Sequence, residues 1–136
     1  MNIFLAEASS DVRLALQLAL DNEPGLNVTG LAVQTEGLLA QIEVVQPDLL
    51  LLDRKLEGES LNDFMSALQK LKPRPRVIVL SINSDEEQSS LAAGADAFFY
   101  KAYPVEELLT ILRKMRDEVK QKRSEKANKA AGPTRL

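Results

Sequence analysis

The chain has 136 residues, enough for one domain of ordinary size, and its 45% hydrophobic and 27% charged residues are typical of a globular protein. It contains no Cys and no His, which excludes disulfides, thiol nucleophiles, thiolate or imidazole metal sites and the usual triad hydrolases. The net charge is −3, no apolar run approaches the ~18–20 residues of a membrane span, and the N-terminus does not resemble a signal peptide.

Short apolar runs alternate along the chain with longer segments of helical period, the pattern of a parallel sheet covered by helices on both faces. The apolar runs predict five strands, at residues 3–6, 26–33, 48–53, 77–80 and 97–100. The helices are predicted to start at capping side chains or at a proline, namely Ser9 or Ser10, Thr35, Ser60, Ser84 and Pro104. The sequence therefore predicts an α/β protein with a doubly wound, five-stranded parallel sheet flanked by five helices.

The run at residues 48–53, Asp-Leu-Leu-Leu-Leu-Asp, is the most informative of the predicted strands. Four consecutive leucines between turn signals suit a central parallel strand that is buried on both faces, although Leu is not a strong strand former. The helix before this strand is predicted to end at Gln46, and the helix after it is predicted to end at Leu71. The next helix is predicted to stop near Gly94.

The last predicted helix combines an apolar stripe with a basic end. Its apolar residues are Leu108, Leu109, Ile111, Leu112 and Met115, which either pack on the sheet or mediate formation of a homodimer.

The charge of the chain is unevenly distributed. Residues 113–136 carry nine Lys and Arg against three Asp and Glu, whereas residues 1–112 carry eight basic and seventeen acidic residues. We assign residues 1–118 to one domain and expect residues 119–136 to be a solvated basic helix extension with a disordered tail. The alternative is a surface for nucleic acid or an acidic partner.

Polar side chains follow four of the predicted strands at the points where the strands end. They are Glu7, Asp53, Ser81 and Lys101. Each has an ordinary explanation on its own, as a turn former, a cap or a solvated charge. Because ligands of an open parallel sheet bind outside the carboxyl ends of its strands, the four together predict a site at that edge.

Three blocks of sequence resemble the response-regulator receiver family, which has the CheY-like, flavodoxin-like fold. The blocks are residues 47–53 (Pro-Asp-Leu-Leu-Leu-Leu-Asp), 77–81 (Val-Ile-Val-Leu-Ser) and 93–101 (Ala-Gly-Ala-Asp-Ala-Phe-Phe-Tyr-Lys), followed by Glu106-Glu107-Leu108. The order and spacing of the blocks are more specific than any single block, and the resemblance covers roughly residues 1–118.

The resemblance implies roles for the residues at the strand ends. Asp53 would accept a phosphoryl group, Lys101 would pair with a phosphoryl oxygen, and Ser81 would donate its hydroxyl to another. Mg²⁺ would be held by Glu7, Asp53 and the backbone carbonyl of Lys55. Ser81 and Phe98 would be the switch residues that pass the change to the surface of the fourth helix, fifth strand and fifth helix.

The sequence departs from the family pattern at three places. Ala8 stands where the second of two adjacent acids contacts the metal most directly, so we expect weakened Mg²⁺ binding. Arg54 and Lys55 place positive charge beside Asp53, which either competes with the metal, replaces it, or points to solvent. Ala102 replaces a proline that follows a cis bond. A non-proline cis bond costs roughly 3–4 kcal/mol, so we expect a trans Lys101–Ala102 bond and a displaced Lys101 or following loop.

Two functions remain open at this point. The first is a two-component signal-transduction receiver, cytoplasmic and not an enzyme, that is phosphorylated on Asp53 by a histidine kinase or phosphotransfer protein and then binds a downstream protein. The second is a degenerate receiver that docks proteins without phosphorylation, which the alanines at positions 8 and 102 favour. We do not expect nucleic-acid binding by this chain alone, because its basic end has neither aromatic side chains for stacking nor a known recognition module.

Overall fold

The computed structural model describes residues 1–131, which form one parallel sheet with helices on both faces. The strands are β1 (Asn2–Ala6), β2 (Asn27–Ala32), β3 (Leu49–Asp53), β4 (Arg76–Ser81) and β5 (Ala97–Tyr100). The helices are α1 (Ser10–Asp21), α2 (Leu38–Val45), α3 (Leu61–Leu68), α4 (Glu87–Ala92) and α5 (Val105–Ala131), and a 3₁₀ turn (Ser84–Glu86) precedes α4. The strand order is β2-β1-β3-β4-β5, all parallel, which confirms the predicted fold class.

Strand β3 is the centre of the sheet, and its leucines are buried on both faces. Leu49 and Leu51 belong to a core that α1 and α5 cover, whereas Leu50 and Leu52 belong to a second core that α2 and α3 cover. Burying each leucine contributes on the order of 1.5–3 kcal/mol. This burial outweighs the weak strand preference of Leu and fixes Asp53 at the carboxyl end of a rigid strand.

Helix α5 packs on the sheet through its apolar stripe and continues as a single helix to Ala131. Leu108, Leu112 and Met115 are buried in the first core, and Val119 packs against that core. Packing on the sheet therefore accounts for most of the stripe, and dimerisation through α5 stays a prediction.

The division of the chain at residue 118 also stays a prediction, and residues 132–136, which belong to the expected tail, lie outside the described part. Within residues 1–131, no helix is both long and apolar enough to cross a membrane.

The prediction that Thr35 caps α2 is wrong. Helix α2 begins at Leu38, after Gly37 in a left-handed conformation with φ 75°. The Thr35 hydroxyl instead donates to the carbonyl of Glu57 at 3.2 Å and accepts from the backbone N–H of Glu59 at 2.8 Å. Thr35 therefore connects the segment before α2 to the loop after β3, because its hydroxyl finds partners in that loop and not in the helix.

The predicted capping box at Ser84 is also wrong. Asn83 caps this segment, because its side-chain oxygen accepts from the backbone N–H of Asp85 at 3.0 Å. The chain then makes a 3₁₀ turn, and α4 starts at Glu87, three residues later than predicted. The carboxylate of Glu86 meanwhile turns toward the carboxyl edge of the sheet.

The caps of α1 and α3 agree with the sequence. The Ser9 and Ser60 hydroxyls accept from the backbone N–H of Val12 and Asp63 at 3.4 and 3.1 Å. Helix α3 ends at Leu68, three residues earlier than predicted, while strand β5 has the predicted bounds.

Candidate functional site

The carboxyl edge of the sheet collects the four predicted side chains. Glu7 follows β1, Asp53 ends β3, Ser81 ends β4 and Lys101 follows β5. Glu7, Asp53 and Ser81 are almost completely buried, with 0%, 4% and 2% of their surfaces exposed. The site lies where the strand order reverses beside β1, which is the position at which open parallel sheets bind ligands.

The ammonium group of Lys101 joins the two buried carboxylates. Its Nζ lies 2.7 Å from Glu7 Oε1 and 3.0 Å from Asp53 Oδ1. The backbone N–H of Lys101 donates to the carbonyl of Ser81 at 2.7 Å, so β4 holds the start of the loop after β5. The one cis peptide bond within residues 1–131 is Lys72–Pro73, which confirms the predicted trans Lys101–Ala102 bond. Lys101 reaches the site with this trans bond in place.

The Asp53 carboxylate is oriented by backbone donors on both sides. The N–H of Ala8 donates to Oδ2 at 3.1 Å, and the N–H of Lys55 donates to Oδ1 at 3.0 Å. Burial raises the pKa of Asp53, but the hydrogen bond with Glu7, these two N–H donors and Lys101 together outweigh burial. The pKa of Asp53 therefore lies below its ordinary value, and the group is an anion at neutral pH.

Glu7 has the opposite electrostatic character. Burial first, and then the hydrogen bond with Asp53, raise the pKa of Glu7 above its ordinary value, although Lys101 and the N–H of Ser9 act against them. The N–H of Ser9 donates to Glu7 Oε2 at 3.0 Å. Of the two buried carboxylates, Glu7 is thus the one that holds a proton more readily, and Asp53 is the one that stays ionised.

The Ser81 hydroxyl reaches the site edge but is bound to Glu86. Its Oγ donates to Glu86 Oε1 at 2.7 Å and accepts from the backbone N–H of Asn83 at 3.0 Å. The structure therefore brings Glu7, Asp53 and Lys101 into direct contact, while Ser81 lies on the neighbouring strand with its hydroxyl directed to the segment before α4.

The two cations that follow Asp53 differ in their surroundings. Lys55 is exposed. Arg54 packs toward α4, where its Nε lies 3.3 Å from Glu86 Oε2 and its Nη1 donates to the Ser90 hydroxyl at 2.7 Å. Of the alternatives left open for these two cations, a side chain that points to solvent fits Lys55 but not Arg54. Sequence reasoning missed Glu86 and Ser90, because no sequence motif signals a contact between these side chains.

Phe98, the predicted aromatic switch residue, lies on β5 opposite Val79 of β4. It is half-buried and packs against the core that α2 and α3 cover. Phe99, its neighbour, is buried in the other core. Phe98 thus lies on the face of the sheet away from α5.

The residues present do not fit a tightly held Mg²⁺ ion. Within the described residues, no group of three or more His, Cys, Asp or Glu side chains is placed to hold a metal. The side chain at position 8 is an exposed methyl group, and Lys101 Nζ is already bound to both Glu7 and Asp53. Mg²⁺ requires near-octahedral oxygen coordination, and two carboxylates that share an ammonium group supply little of it.

Comparison with known proteins gives a consistent assignment. The family model described as response regulator receiver domain matches residues 3–113. Over 112 residues the chain is 28% identical to the nitrate/nitrite response regulator protein NarL of Escherichia coli (strain K12). The match covers 81% of this chain and 52% of NarL. Over 91 residues the chain is 28% identical to protein-glutamate methylesterase/protein-glutamine glutaminase 2 of Cereibacter sphaeroides. This match covers 67% of this chain and 25% of that protein.

The fold is also that of solved receiver structures. The receiver domain protein (CheY-like) from Methanospirillum hungatei JF-1 aligns with a TM-score of 0.75 and 24% identity, covering 89% of this chain and 97% of that chain. The chain spans only about a quarter to a half of the curated relatives named above.

Proposed function

The chain belongs to the response regulator receiver domain family, and on that premise we propose that it accepts a phosphoryl group on Asp53. The observation that carries the proposal is the geometry of this carboxylate. It is buried at the end of the central strand, it is held by two backbone N–H groups, and Lys101 Nζ lies 3.0 Å away. Such an oriented anion beside a fixed cation suits nucleophilic attack on phosphorus.

The proposed transfer moves one phosphoryl group from a phosphorylated histidine or a small acyl phosphate. A bond forms between an Asp53 carboxylate oxygen and phosphorus while the bond between phosphorus and the leaving atom of the donor breaks. The bonding electron pair leaves with the donor. Lys101 offsets the charge on the phosphoryl oxygens, and the lowered pKa of Asp53 keeps the nucleophile ionised.

Receiver domains generally bind Mg²⁺ at their acidic pocket. For this chain we propose weakened Mg²⁺ binding, because Ala8 removes one carboxylate and Lys101 is bound to both of the others. Glu7, Asp53 and the Lys55 carbonyl are the groups left to approach such an ion, and the transfer described above is routed through the side chains alone.

We propose that the new charge is passed to the surface formed by α4, β5 and α5. A phosphoryl group adds about −1.5 to −2 charges, which would attract the Ser81 hydroxyl away from Glu86. Phe98, which is only half-buried, would then change its packing beside β4. A downstream protein would recognise the altered surface.

The proposed phosphodonor is a histidine kinase or a phosphotransfer protein, and we place the chain with these partners in the cytoplasm. The transfer is stoichiometric, one phosphoryl group per chain, so the protein is proposed as an acceptor and not as an enzyme. The matched segment makes up only 25% of the methylesterase relative. The esterase activity in that protein's name therefore does not pass to this chain.

Intact-mass measurement after incubation with a small acyl phosphate and excess Mg²⁺ tests the phosphoryl transfer. Wild type is expected to gain the mass of one phosphoryl group, and Asp53→Asn is expected to gain none. Asp63→Asn is the matched control, because Asp63 is exposed in the first turn of α3, and it should behave as wild type. If wild type gains no more mass than Asp53→Asn, phosphorylation of Asp53 is refuted and docking without phosphorylation takes its place.

A further inference from the structure

Arg54 follows the proposed phosphoacceptor directly and carries a second cation toward the same edge of the sheet. Its backbone N–H donates to the Leu80 carbonyl at 2.8 Å, which fixes the start of the side chain beside β4. The Arg54 side chain is 22% exposed, and its guanidinium group contacts Glu86 Oε2 at 3.3 Å and the buried Ser90 hydroxyl at 2.7 Å. Arg54 is therefore held in one place by α4 and the turn before it.

A single carboxylate connects Arg54 with Ser81. Glu86 accepts the Ser81 hydroxyl on Oε1 at 2.7 Å and faces Arg54 Nε with Oε2 at 3.3 Å. Glu86 thus binds two donors from the carboxyl edge of the sheet, one at the end of β4 and one directly after Asp53. The backbone carbonyl of Glu86 also accepts the Ser90 hydroxyl at 2.7 Å, which ties the turn to α4.

The charge balance of the site explains why the second cation matters. Lys101 is shared between Glu7 and Asp53, and the residues present do not fit a tightly held metal ion. A phosphoryl group on Asp53 adds about −1.5 to −2 charges to this site. Guanidinium groups bind phosphoryl oxygens in bidentate geometry, so Arg54 is chemically suited to supply the missing positive charge.

We propose that Arg54 is a second phosphoryl-binding residue of this site and that Glu86 holds it, together with Ser81, until Asp53 is phosphorylated. The phosphoryl group replaces the Glu86 carboxylate as the acceptor of both donors. Glu86 and Ser90 then lose their contacts to Arg54, and the turn before α4 is released. This inference rests on the proposed phosphorylation of Asp53 and names the groups that bind its product.

The inference predicts opposite effects for Arg54 and Glu86 on phosphorylation by a small acyl phosphate. Arg54→Gln is expected to slow the gain of phosphoryl mass by about tenfold, the effect of losing one charged contact to the transferred group. Arg54→Lys should recover part of the rate, because it restores the charge without the planar fork. Glu86→Gln is expected to raise the rate several-fold, because it weakens the hold on both Arg54 and Ser81.

Matched variants separate these effects from a general change in charge. Glu87→Gln removes the neighbouring exposed carboxylate, and Lys70→Gln removes an exposed cation at the end of α3. Both are expected to keep the wild-type rate, and circular dichroism of every variant confirms that it is folded.

The outcomes distinguish the inference from the function on which it rests. Slower phosphorylation of Arg54→Gln and faster phosphorylation of Glu86→Gln, each relative to its control, support the inference. Rates equal to those of the controls overturn it, while an Asp53-dependent mass gain in wild type still upholds the phosphoacceptor. If neither wild type nor any folded variant gains mass, both the phosphorylation of Asp53 and the inference that rests on it are refuted.

Discussion

Ala8 is the residue that most limits the chemistry of the candidate site. Its backbone N–H still orients the Asp53 carboxylate at 3.1 Å, but its methyl group offers no oxygen to a cation. The side chain is exposed, so an acid at this position has room beside Asp53 without displacing core residues.

Ala8→Asp is therefore expected to increase Mg²⁺ affinity by about tenfold or more, since it adds a third carboxylate to the edge of the sheet. Isothermal titration calorimetry with MgCl₂ measures the change. Ser10→Asp adds the same charge two residues away, in the exposed first turn of α1, and should leave the affinity at the wild-type value. Equal affinities for wild type and Ala8→Asp would refute the argument that Ala8 weakens the metal site.

For individual residues, the sequence predicts where the site lies better than it predicts which side chains are in contact there. Glu7, Asp53 and Lys101 meet because they follow parallel strands, and strand ends can be read from the apolar runs. The contacts of Ser81 and Arg54 with Glu86 depend on side-chain rotamers and on the 3₁₀ turn before α4. No local pattern specifies that turn, so the network was not foreseen.

Among the helices, α5 is joined to the turn after α1 by a charged cluster at the end opposite the site. Arg113 Nε and Nη2 bind the two carboxylate oxygens of Glu23 at 2.7 and 3.1 Å, and Arg116 Nη1 lies 3.4 Å from the same carboxylate. The hydrogen bond with Arg113 lowers the pKa of Glu23 below its ordinary value of 4.5, against a smaller opposing effect of burial. The cluster therefore favours the folded state when Glu23 is ionised.

The stability of this cluster depends on pH in a defined direction. The pKa of Glu23 is lower in the folded state, so its contribution is present above the unfolded pKa of about 4.5 and is lost as pH falls through the folded value. At neutral pH, wild type is expected to melt a few degrees above Glu23→Gln, and the difference should shrink well below pH 4.5.

Thermal unfolding followed by circular dichroism across this pH range measures the effect. Glu43→Gln changes an exposed glutamate on α2 and should show little difference from wild type at any pH. A difference between wild type and Glu23→Gln that is constant across the range would contradict the assignment of this contribution to the ionised carboxylate.

The elements themselves were predictable to different degrees. The central strand and β5 follow from uninterrupted apolar runs, and Ser9 and Ser60 cap their helices as the local sequence indicates. Thr35 and Ser84 have the same chemical character but do not cap. The Thr35 hydroxyl is taken by the loop after β3, and Asn83 is the cap in the place of Ser84. Tertiary partners decide which of several polar residues becomes the cap.

Over the whole molecule, two ion pairs of opposite polarity join the C-terminal half of α5 to the amino end of the sheet. Arg123 Nη2 lies 2.8 and 3.1 Å from the two carboxylate oxygens of Asp48, and Arg76 pairs with Glu118 at 3.2 Å. These exposed pairs contribute little to stability, on the order of 0–1 kcal/mol each, but they orient the helix along the amino end of the sheet. Arg123 of α5 thus lies at the opposite edge of the sheet from Asp53.

The proposed switch at Asp53 can be followed directly in the backbone amide shifts of ¹⁵N-labelled protein when the phosphoryl analogue beryllofluoride is added with excess Mg²⁺. We expect changes at Ala8 and Lys55, whose N–H groups contact Asp53, and then from Ser81 through α4 and along β5. We expect no such changes in Asp53→Asn. Changes that appear equally in Asp53→Asn, or that stop at the immediate neighbours of Asp53, would contradict a switch that starts at Asp53.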